Sequence, residues 1–148
     1  MMNTKRISGM LLMCTLLLCS ADARADGMVG SWDVVAQSSL GEARALYTFA
    51  SDGTFTMAGD APGVRTPGHG VWEDLGDNNV ALTFKRLRYD PQTGEFTATL
   101  KIRATLVLCQ SGNGFDGEFQ LDVYNPAGNL VSSIPGTLNG TRIVLERL

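Results

Sequence analysis

The sequence predicts an all-β fold: an antiparallel up-and-down β-barrel of about eight or nine strands, preceded by a signal peptide. Three observations carry this. From Phe96 to Leu108 every second residue is apolar and, Val107 apart, the positions between are Thr, Lys or Arg, which is the period-two pattern of a strand with one dry face. From Phe115 to Tyr124 the pattern repeats, with Phe115, Gly117, Phe119, Leu121 and Val123 on one side and Asp116, Glu118, Gln120 and Asp122 on the other. The stretches between such segments carry Gly, Asn or Asp, residues that tolerate the positive φ of hairpin turns, and nowhere does a helical apolar period last long enough for a substantial helix.

Residues 1–25 read as a signal peptide. Lys5 and Arg6 form a positive start, Ile7 to Leu18 is a mostly apolar run, and Ala23-Arg24-Ala25 is a small-x-small cleavage site. Cleavage after Ala25 leaves a domain of residues 26–148, periplasmic or secreted, with no membrane association once the leader is gone. The apolar run falls short of the roughly 20 residues a spanning helix needs. A lipoprotein acylated at Cys19 is the alternative, although Leu18 stands where a small residue normally precedes such a cysteine. With Cys14 and Cys19 in the leader, Cys109 is the one cysteine of the remaining chain, so no internal disulfide is expected.

The strand candidates in order are 32–37, 42–50, 54–58, 70–74, 79–89, 95–109, 115–124, 130–138 and 141–147, with turns at 51–53, 76–79, 90–94, 111–114, 125–129 and 139–140. Successive strands joined by short turns form a meander, and closing a meander on itself removes its exposed edges. A two-sheet sandwich needs longer crossing connections, and only 59–68 is long here. Taken on to Gly70, the segment 59–70 holds Pro62, Gly63, Pro67, Gly68 and the sole histidine, so it is the expected gate of a site at a barrel mouth.

Both tryptophans sit in G-x-W-acid settings, Gly30-Ser31-Trp32-Asp33 and Gly70-Val71-Trp72-Glu73. The first, together with Thr141-Arg142 at the opening of the expected last strand, resembles the lipocalin or calycin pattern. A similar look occurs in bacterial lipocalin-like proteins and in barrels related to allene oxide cyclase. The resemblance implies that Trp32 packs against Arg142 where the first and last strands meet. The physical reason is independent of it: a guanidinium stacked on an indole face gains roughly 0.5–2 kcal/mol while plugging the barrel end.

The formal charge of −3, from 12 basic and 15 acidic residues, leaves no footprint for nucleic acid. Four residues are candidates for ligand binding. His69 could serve as a proton acceptor or polar handle on a ligand, or make a structural hydrogen bond. Trp72 fits an end plug or a stacking surface at the mouth. Alternation in 79–89 puts Arg86 and Arg88 inward with Val80, Leu82 and Phe84, where an anionic ligand or a carboxylate would pair them; a β-bulge placing Leu87 and Tyr89 inside is the equal rival. A single histidine makes no His-cluster metal site, and no catalytic or cofactor motif occurs, so neither metal nor cofactor is expected. The reading that follows is an exported barrel holding a small, largely apolar or weakly anionic molecule in its lumen. The alternatives are a barrel enzyme of the cyclase or isomerase kind using the same pocket, and a structural or interaction module with a filled core.

Overall fold

Period-two alternation becomes eight antiparallel strands in the computed structural model of the chain, which describes residues 27–59 and 64–148. The leader expected over residues 1–25, with its cleavage site and Cys19, lies outside the described residues. The strands are β1 (Gly30–Ser38), β2 (Gly41–Phe49), β3 (Thr54–Gly59), β4 (Gly68–Gly76), β5 (Asn79–Tyr89), β6 (Phe96–Leu108), β7 (Gly114–Tyr124) and β8 (Leu130–Arg142). Each pairs with the next, and β8 pairs back with β1 from Trp32↔Arg142 to Ser38↔Gly136, so the sheet closes as a barrel. An all-β, up-and-down barrel is therefore the fold, and its architecture is consistent with a lipocalin-like barrel.

The long strands keep one face inward along their whole length. Along β6, Ala98, Leu100, Ile102, Ala104 and Leu106 are buried while Arg103, Thr105 and Val107 are exposed. The two-residue β4–β5 connection has Asp77 at φ 52° and Asn78 at φ 65°, the paired positive φ of a type I′ hairpin. On the outer wall, Asp122 of β7 is nonetheless buried: Arg103 Nη2 donates to it at 2.7 Å and Ser133 Oγ at 2.5 Å, and these bonds, the Ser133 bond foremost, hold its pKa below the ordinary carboxylate value.

One expectation fails at the last strand. Asn139-Gly140 is not a turn, and 130–138 and 141–147 are not two strands: β8 runs unbroken from Leu130 to Arg142, and residues 143–148 are outside it. The reason lies in the neighbouring strand. Gly140 sits directly opposite Phe115 in the β7–β8 register, and a Cβ there would collide with the Phe115 ring. Gly136 stands likewise under Phe119. These glycines make room for an aromatic ring folded across the strand; Asn139 points outward, its Nδ2 donating to Asp116 at 2.7 Å.

Side-chain size inside the barrel is graded from one end to the other. The inward residues of β1 run Trp32, Val34, Ala36, Ser38, and those of β2, read in the same direction, run Phe49, Tyr47, Ala45, Ala43, Gly41. At the large end, Trp32 and Phe115 meet edge to face at 5.2 Å, and Phe49 contacts Phe55 at 4.9 Å and Trp72 at 5.7 Å. The other end, bounded by the β1–β2, β3–β4, β5–β6 and β7–β8 connections, is left open by small residues.

Candidate functional site

The two ends divide Trp32, Trp72 and Arg142 from Arg86 and Arg88. At the large end, the Arg142 guanidinium lies over the Trp32 ring, its Cζ 4.2 Å from the centroid. Arg142 Nε donates to Gly112 O at 2.7 Å, Nη1 to Val29 O at 2.9 Å, and Nη2 to Gly27 O. Each contact ties the final strand to the segment before β1 or to the β6–β7 turn. Trp72 belongs to this end too: its indole N–H donates to Ala50 O at 2.9 Å, as that of Trp32 donates to Met28 O at 3.0 Å. Two G-x-W segments thus use one device, a large ring turned inward and its N–H spent on a backbone carbonyl of the adjoining loop.

Arg86 and Arg88 sit at the opposite end. Both lie on the inward-facing register of β5, and in its pairing with β6 the register shifts only after Arg88, at Tyr89, so Leu87 is exposed on the outer wall and not inside as the rival bulge placement has it. Arg86 is buried, with its Nε donating to Thr66 O at 3.1 Å. Arg88 Nε donates to Thr97 Oγ1 at 3.3 Å. The second half of the β3–β4 connection runs along this strand end: Thr66 N bonds Leu87 O, Tyr89 N bonds Val64 O, and Arg65 bridges Arg88. That pairing carries Arg65 into the mouth beside Arg88, a placement that alternation within β5 could not reveal.

A cavity of about 100 Å³ penetrates the lumen here, lined by Ala43, Ala45, Tyr47, Phe84, Arg65 and Arg86 among others. It continues into a wider mouth of about 560 Å³ that reaches Leu40, Glu42, Arg88, Val123 and Val131, sharing Ala36, Leu100, Phe119 and Leu121 with the inner cavity. Beyond Phe84 the barrel is filled: Tyr47, Phe55 and Phe84 pack within 5.0–5.9 Å of one another. Burial pushes the Tyr47 hydroxyl pKa up, and the nearby Arg86 charge only partly offsets this, so the phenol is neutral and able to donate. Two broader depressions on the outer wall of β6–β8, lined by polar groups such as Thr105, Glu118 and Thr137, are shallow and open to solvent.

His69 is not at this mouth. It is the second residue of β4, exposed, on the outward face between Thr56 of β3 and Lys85 of β5. Alternation from the inward Trp72 puts it there. Among the described residues no group of His, Cys, Asp and Glu side chains is arranged to hold a metal ion. The parts of the site that sequence reading missed are Arg65 and the small inward residues Ala36, Ala43 and Ala45. The graded series in β1 and β2 was a signal for the alanines; for Arg65 there was none short of the strand pairing. No protein-family model matches this chain, and no curated protein matches it at a significant level.

Proposed function

We propose that this protein is an exported, lipocalin-like barrel of calycin type that binds a small, largely apolar molecule through its open end. The observation that carries this reading is the gradient of inward side chains, which plugs one end with Trp32 and leaves alanines and glycine around a cavity at the other. Small barrels can enclose one ligand, and a mouth of about 560 Å³ is within the usual size of a ligand site. The inner cavity of about 100 Å³ confines deep insertion to one end of the molecule. A second reading, an enzyme of the cyclase or isomerase kind, is supported by Tyr47 beside Arg86, a neutral donor and a cation that together would polarise a bound carbonyl.

Native mass spectrometry of the protein purified from its own host tests the binding and the export together. The expected spectrum is a chain beginning at Asp26 with a small molecule bound. Acylation at Cys19 would replace the soluble form with a tethered one. Saturable, one-to-one binding of the uncharged fluorophore N-phenyl-1-naphthylamine, lost in Ala43→Trp while the folded spectrum is kept, places the ligand in the mouth. Failure of the protein to bind either the probe or a host molecule would leave only a filled structural module.

A further inference from the structure

The arginines at the open end narrow the ligand class, an inference that rests on the ligand-binding reading above. Among the described residues that line the mouth, Arg65 and Arg88 are the cations and Glu42 is the one carboxylate. This local excess runs against the sign of the whole chain, whose formal charge is −3. A cleft lined by one sign of charge with low-dielectric walls focuses potential and concentrates the opposite charge. Glu42 accepts from Gln37 Nε2 at 2.8 Å and stands 3.9 Å from Arg44 Nε, so it occupies the Arg44 side of the rim.

The adjacent pair is Arg65 and Arg88. They face each other across an antiparallel bridge and line the same mouth. Arg65 Nε is buried with no hydrogen-bond partner among the described residues. Two neighbouring guanidinium groups repel, and a buried donor without an acceptor is costly; an anion between them relieves both. Apolar surface adjoins them at Leu100, Phe119 and Leu121. We propose that the open end takes a small amphipathic carboxylate, with its planar head group held by Arg65 and Arg88 and its apolar part against these three side chains, pointing toward Tyr47. The guanidinium fork matches a carboxylate in shape as well as charge. The inner cavity of about 100 Å³ is small beside the mouth of about 560 Å³, so the part of the ligand that enters it is short.

The test compares hexanoate with methyl hexanoate by chemical-shift titration of the full protein. Hexanoate binds about tenfold tighter at low salt, as expected for a charge-assisted pair, and its advantage shrinks as salt rises. Arg65→Gln and Arg88→Gln each remove most of that advantage while leaving the ester's affinity and the melting temperature nearly unchanged. Equal affinities for acid and ester, or a preference that survives both substitutions, overturn the carboxylate proposal and leave the apolar-ligand reading intact. If neither probe binds while N-phenyl-1-naphthylamine does, the carboxylate proposal also falls alone; if none of the three binds, both readings fall.

Discussion

The two ends of the barrel are made from the same strands yet solve opposite problems. At the Trp32 end, β1, β7 and β8 contribute Trp32, Phe115 and Arg142, and the indole N–H and the guanidinium donate to backbone carbonyls. At the Arg65 end, the same β1 and β8 contribute Ala36, Ser132 and Ile134, and guanidinium groups line an accessible space. One end is finished by the chain itself; the other is left open. The strongest way to break this comparison is to unplug the closed end. Trp32→Ala removes a fully buried indole and strips Arg142 of the ring beneath it, with an expected loss of about 3–5 kcal/mol by analogy with other buried aromatic truncations. Urea unfolding measures it. Should that variant not fold, Trp32→Phe, which keeps a ring but loses the bond to Met28 O, should cost at least about 1 kcal/mol. A cost near zero for Trp32→Phe would mean that the closed end is not a specific plug.

How much of this was legible in the sequence follows from the reach of each signal. Local alternation spans two residues, so it located β6, β7 and the inward face of β5 as far as Arg88, and turn residues located most hairpins. Asn139-Gly140 misled because the same dipeptide serves two purposes. In a hairpin its glycine supplies positive φ; in β8 Gly140 supplies an absent Cβ beneath Phe115, and only the partner strand's register reveals which applies. The site was harder still. Periodicity offered Arg86 and Arg88 as inward with a β-bulge as its equal rival, whereas Arg65 reaches Arg88 through a strand pairing from more than twenty positions upstream, beyond any local rule.

The ends also differ in what fastens the wall around them, and acid should separate the two. Closure at Trp32 uses a guanidinium, an indole and backbone carbonyls, with no carboxylate among these contacts. Toward the open end, the β7–β8 wall is fastened by Asp122 with Arg103 and Ser133. A carboxylate with a depressed folded pKa contributes stability that is fully present above its unfolded value near 4 and is lost as pH falls through the folded value. The melting temperature of the wild type should therefore exceed that of Asp122→Asn by a constant margin at pH 5–8, and the margin should shrink below about pH 4. A margin that stays level into strong acid would show that the Asp122 carboxylate contributes shape and not charge.

The smallest expected effect sharpens the assignment of the site to the interior. His69 is the one histidine and follows the connection that borders the mouth, which makes it the natural first choice for a polar handle on a ligand. Strand alternation decides otherwise: with Trp72 inward, His69 three positions earlier points outward, exposed between Thr56 and Lys85. The wall of β4 and the side chains of Met57 and Phe84, which crowd the neighbouring Gly68 from inside, lie between its imidazole and the cavity. An exposed side chain on a strand's outer face contributes little, so His69→Ala should change stability by no more than about 0.5 kcal/mol. Affinity for N-phenyl-1-naphthylamine should also be unaltered, since no atom that lines the cavity is removed. A tenfold loss of affinity in this variant, with its melting temperature preserved, would mean that the ligand reaches over the rim onto the outer face of β4, and the interior site would have to be redrawn to include that surface.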